Sequence, residues 1–84
     1  MKNEAKVIET YNDGNYVTIL LFNEATKNGF YYEFETANLV TKWNEIMKDL
    51  NELKDSSYPK SATPINRPFN NSDELISYFE DNIL

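Results

Sequence analysis

AKVIETYNDGNYVTILLFNEATKNGFYYEFE, residues 5–35, decides the fold. Within it, Asn12-Asp13-Gly14-Asn15 holds an Asp-Gly pair, which tolerates the positive φ angles of a tight hairpin turn. Ala5–Tyr11 and Tyr16–Phe22 therefore read as paired antiparallel strands. The second carries four consecutive apolar residues, Ile19-Leu20-Leu21-Phe22. Successive strand residues point to opposite faces, so such a run needs cover on both sides and predicts a central strand. After a polar connection over Asn23–Gly29, Phe30, Tyr32 and Phe34 alternate with Tyr31, Glu33 and Glu35. That alternation predicts a third strand with one core face and one wet face.

A tight turn pairs Thr10 with Val17 and Ile8 with Ile19, which places Ile8, Val17, Ile19 and Leu21 on one face. A loop over Thr26–Gly29 pairs Phe34 with Leu21 and Phe30 with Ala25, so Phe30, Tyr32 and Phe34 join that face. The opposite face then holds Val7, Glu9, Tyr11, Tyr16, Thr18, Leu20, Phe22, Tyr31, Glu33 and Glu35.

Beyond Glu35 the apolar period changes from two to 3.6. Leu39, Val40, Trp43, Ile46, Met47, Leu50 and Leu53 form the stripe of an amphipathic helix, with Trp43 expected in the core. Thr36 or Asn38 can cap its start, and its end falls near Lys54–Ser57. Pro59, Pro64 and Pro68 bias the residues before them towards extended geometry. Ser56–Asn70 accordingly reads as a long connection, pinned by Ile65 and Phe69. A second helix opens at Asn71 or Ser72, where Asn71-x-x-Glu74 approximates a capping box and Asp73 and Glu74 suit the positive end of the helix dipole. Leu75, Ile76, Phe79 and Ile83 are expected to face inward. The predicted fold is α+β, one domain over residues 1–84, with a three-stranded antiparallel sheet followed by two helices, β-β-β-α-α.

The chain has neither Cys nor His. It thus lacks thiolate nucleophiles, disulfides, the usual zinc ligands and the commonest general base. Glu33 with Glu35, and Glu80 with Asp81, are paired acids, but there is no Gly-rich phosphate loop and no calcium-loop motif, and a cleft is hard to build in so small a domain. No catalytic residue, metal or cofactor is expected, and the pairs read as surface charge. No apolar run reaches the ~20 residues needed to cross a bilayer, and the N-terminus is polar, so a cytoplasmic protein is expected. The Asn-rich, Gln-free composition suits a low-GC bacterium or its phage.

The net charge of -6 disfavours phosphate backbones and favours basic partner surfaces. Aromatic residues on a sheet can stack bases, but Glu9, Glu33 and Glu35 share that face. Lys42, Lys48, Lys54 and Lys60 read as a solvated strip. The candidate partner-binding residues are Glu9, Tyr11, Tyr16, Tyr31, Glu33, Glu35 and Arg67, since tyrosine gives contact area with few rotors and carboxylates select cations. Two alternatives stay open. The last helix or the Pro-rich strap covers Leu20 and Phe22 and leaves an ordinary rim, and Arg67 pairs with a neighbouring carboxylate.

In outline, the Asn12–Asn15 hairpin, the Tyr/Glu strand from Phe30 to Glu35 and the acids Glu45, Asp49, Glu52, Glu80 and Asp81 resemble small acidic phage-encoded inhibitors such as anti-CRISPR proteins. That resemblance implies a partner that binds nucleic acid, such as a nuclease. The expected function is a non-enzymatic binding or inhibitory protein that covers a basic surface of a larger protein. The alternative is a small structural or regulatory module that forms homodimers through the outer sheet face.

Overall fold

Around Tyr16–Asn23 (β2) the chain places a partner on each side and a helix on each face, as its unbroken apolar run demands. In the computed structural model, which describes residues 5–52 and 62–84, Ala5–Asn12 (β1), β2 and Asn28–Glu35 (β3) form an antiparallel meander. A 3-10 turn over Thr36–Asn38 leads into the helix Leu39–Glu52 (α1). Thr63–Pro68 (β4) then adds antiparallel to β3, and Ser72–Asn82 (α2) follows. The fold is α+β as expected, but the sheet has four strands in the order β1-β2-β3-β4, not three. The chain order is β-β-β-α-β-α.

The extra strand lies inside the stretch expected to be a structureless connection, whose first part, residues 56–61, falls outside the described residues. Pro64 stands opposite Phe30 and Pro68 opposite Asn28. Proline lacks an N–H, which an edge strand tolerates because one side of it needs no donor. The prolines therefore marked an edge strand rather than the absence of one. Ile65 and Phe69 pin the segment down as expected, both buried on the α2 side.

Both hairpin registers differ from expectation. Thr10 pairs with Ile19 and Asn12 with Val17, and a bulge between Val7 and Glu9 shifts the ladder so that Val7 meets Leu21. A bulge inserts one residue, and one residue reverses which side chains point where. Val7 consequently joins the core with Ile19 and Leu21, while Ile8 packs on the opposite side with Leu20 and Phe22. Between β2 and β3, Leu21 pairs with Phe30 and Val17 with Phe34, so the loop is Glu24–Lys27, not Thr26–Gly29. This register differs by an even number of residues, and Phe30, Tyr32 and Phe34 still share a face with Val17, Ile19 and Leu21.

On that face α1 buries Ile46, with Leu39, Met47 and Leu50 packed beside it. Val40 is 75% exposed and Trp43 38% exposed, against the expectation that both belong to the core. At about 100° per residue, the apolar stripe spans about 140°, and Val40 stands at one edge of it. The helix settles on Ile46, and Val40 lies about 120° round from it. Leu53 and the expected helix end at Lys54–Ser57 lie outside the described residues. The capping role foreseen for Thr36 is replaced by a tie to the first hairpin, since its hydroxyl donates to Asn12 Oδ1 at 3.2 Å; it and Asn38 belong to the 3-10 turn.

On the other face α2 lies over Leu20, Phe22 and Ile65, burying Leu75 and Phe79. Its start is capped as expected: Asn71 Oδ1 accepts from the Glu74 amide at 2.9 Å. The helix comes so close to β3 that a Cβ on Gly29 would stand 2.8 Å from both Leu75 methyl groups. Ile83, expected to face inward, is exposed because it lies past the end of α2.

Candidate functional site

The turn joining β1 to β2 is fixed from within by its own polar side chains. Asp13 accepts from the amides of Asn15 and Tyr16, each at 2.8 Å, and Asn12 Oδ1 accepts from the Gly14 amide at 2.9 Å. Gly14 takes φ of 95°, a left-handed value that glycine adopts without steric cost. The Thr36 amide donates to the Asn15 carbonyl at 2.9 Å, tying the end of β3 to the same turn. The Tyr16 and Asn15 amides hold the Asp13 carboxyl below its ordinary pKa of 3.8, because they favour its charged form.

Across the sheet from this turn, Tyr11 stands opposite Thr18, Thr18 opposite Glu33, and Tyr16 opposite Glu35. The C-terminal end of α2 arrives at the same place. The Tyr11 ring stacks on Phe79 with centroids 5.7 Å apart, and its hydroxyl donates to Glu80 Oε2 at 2.9 Å. Partial burial, that hydrogen bond and the charges of Glu80 and Glu9 all push the Tyr11 phenol well above its ordinary value. Between helix end and sheet end lies a cleft of about 300 Å³, lined by Tyr11, Asp13, Tyr16, Thr18, Glu33, Ile83 and Leu84. Tyr16 is 52% exposed and also borders a shallow depression with Gly14, Asn15, Glu35, Thr36 and Ala37.

The hairpin end is acidic, while the opposite end carries both signs, with Glu24, Asp73 and Glu74 among its bases. Asp13, Glu33 and Glu35 belong to the hairpin end by register, and Glu80 and Asp81 to the last turns of α2. Lys6, Lys27 and Arg67 lie towards the opposite end, near the β2–β3 turn and the β4 bulge. Lys42, which borders a small cavity with Glu33, pairs with Glu45 at 3.4 Å. The last turn of α2 holds no base, so the partial negative charge of its carbonyl end adds to the acids. Among the described residues no group of three or more carboxylates is close enough to hold a metal ion. The acids form a spread field, suited to several cationic groups rather than one ion.

The expected partner-binding residues thus separate. Tyr16, Glu33 and Glu35 are exposed and neighbouring, and Tyr11 forms the inner wall of the cleft. Glu9 is exposed one row further along, while Tyr31 is half-buried with its ring edge-on to Phe79 at 5.2 Å. Arg67 sits apart. Its guanidinium is 4.8 Å from the Phe69 ring centre, 4.9 Å from that of Tyr78, and 3.6 Å from Glu74 Oε1, so its contacts are internal. The outer sheet face is covered at its centre: Leu20 and Phe22 lie beneath α2 and offer no open apolar ground for self-association. Asp13, Thr18, Ile83 and Leu84 line the cleft in addition to the expected partner-binding residues. The available signal was Ile83-Leu84, apolar residues just past a helix with no core position to fill.

No helix among the described residues is long and apolar enough to cross a membrane. No family model, curated protein or solved structure matches this chain.

Proposed function

We propose that this is a non-enzymatic binding or inhibitory protein that covers a basic surface of a larger protein with its hairpin end. The observation that carries the reading is the gathering of Asp13, Glu33, Glu35, Glu80 and Asp81 beside the exposed Tyr16 and the unneutralised carboxyl end of α2. Carboxylates steer a cationic surface into register over distances near a Debye length, and a rigid tyrosine supplies contact area at low entropic cost. The outline resemblance to phage-encoded anti-defence inhibitors gives the partner a class, a nuclease or another protein whose basic groove holds nucleic acid. In that role the acids occupy positions that phosphates otherwise take.

The test is affinity capture from a low-GC bacterial lysate at about 50 mM and about 500 mM salt, with wild type and the double variant Glu33→Lys/Glu35→Lys as baits. A prey enriched by wild type, released by salt and lost with the double variant supports the reading. Equal capture by both baits, or no prey beyond background, overturns it.

A further inference from the structure

We propose that the cleft between the end of α2 and the β1–β2 hairpin receives one arginine side chain of the partner, with Tyr16 as the stacking wall and Glu33 as the counter-charge. This rests on the reading above and specifies the chemistry of the same site. At about 300 Å³ the cleft is at the low end of ligand pockets, sized for one side chain rather than a larger ligand.

Its walls differ in kind. Ile83 and Leu84 are exposed apolar residues on one side, 39% and 59% accessible, suited to the methylene stem of a long cationic side chain. The Tyr16 ring gives a planar π face, and guanidinium stacks on such faces while an ammonium is held more strongly by water. Asp13 and Glu33 contribute charge, and Asp13 already has its orientation set by two amides.

Thr18 also lines the cleft. Carbonyls at the α2 C-terminus favour a cation at the same place.

The experiment is an NMR titration of the full chain with N-acetyl-argininamide, N-acetyl-lysinamide and N-acetyl-citrullinamide, citrulline being the neutral near-isostere of arginine. Saturable amide shifts centred on Tyr16, Thr18, Glu33 and Leu84 are expected, strongest for the arginine compound, weaker for lysine and absent for citrulline. Tyr16→Ala and Glu33→Gln should each weaken binding about two- to fivefold, while Glu24→Gln, which removes the same charge from the β2–β3 turn, should leave it unchanged. All three sites are exposed or edge positions, and retained amide dispersion checks folding. Shifts scattered over the surface, equal responses to citrulline, or equal weakening by Glu24→Gln overturn the assignment. If a salt-sensitive partner is captured and the cleft still ignores argininamide, the arginine assignment fails and the broader reading stands. If neither is seen, both fail.

Discussion

Replacing Gly29 by Ala tests the close approach of α2 to β3. The new methyl would stand 2.8 Å from Leu75 Cδ1 and Cδ2 and 3.3 Å from Leu75 Cγ, well inside ordinary carbon contact distances near 3.5–4.0 Å. Leu75 has little freedom to yield, since it is fully buried in a cluster with Phe22, Phe69 and Phe79. Overpacking of this kind costs about 1–3 kcal/mol. Reduced freedom of the unfolded chain returns about 0.4–1 kcal/mol, leaving a net loss of about 1–2 kcal/mol. For a domain of this size that is a fall in Tm of about 4–16 °C. Thermal and urea unfolding followed by circular dichroism measure it. The decisive comparison is a double-mutant cycle with Leu75→Ala, which alone costs about 2–5 kcal/mol through the cavity it leaves. In that background the Gly29→Ala methyl enters the vacated space, so the two changes should be non-additive by at least about 1 kcal/mol. Strict additivity, or a Gly29→Ala protein as stable as wild type, would refute the claim that α2 needs a side-chain-free position on β3.

Three further outcomes follow from local geometry. Asn71→Ala removes the acceptor for the Glu74 amide and should cost about 1 kcal/mol in urea unfolding; Asn71→Asp should retain most of it. Tyr11 should ionise above the ordinary tyrosine value of 10.0 in an ultraviolet alkaline titration, and Tyr11→Phe should remove that late step. The folded-state pKa of Tyr11 is raised, so its contribution to stability is intact below the unfolded value of 10.0 and is lost as pH climbs beyond it; the Tyr11→Phe protein should lack this part of the alkaline decline. Asp13 behaves in the opposite sense: its folded pKa is lowered, so its stabilisation is present above the unfolded value of 3.8 and is lost as pH falls through the folded one. A carboxyl-detected NMR titration should place Asp13 below 3.8 in the wild type, and Tyr16 and Asn15 amide shifts should report the same transition.

Local chemistry determines a good deal of this protein independently of any tertiary contact. The Asp13-Gly14 turn, the doubly buried β2, the alternating β3, the amphipathic character of α1 and the Asn71 cap follow from steric, periodic and hydrogen-bonding preferences that act within a few residues. The face shared by Phe30, Tyr32 and Phe34 was also legible, because an even register error leaves the alternation intact. What tertiary structure alone decided depends on partners distant in sequence. The bulge at Ile8 exchanges Val7 and Ile8 between two cores, and only the packed sheet sets its position. Pro64 and Pro68 became an edge strand because β3 offered a free side, a condition invisible to local propensity. The candidate site has the same origin. Glu33 and Tyr16 announce themselves by residue type, but the cleft exists only where the end of α2, more than 60 residues along the chain from Tyr16, comes to rest beside the first hairpin. Which carboxylates gather and which bases stand apart is fixed by strand register and helix direction, both products of burying two apolar faces at once.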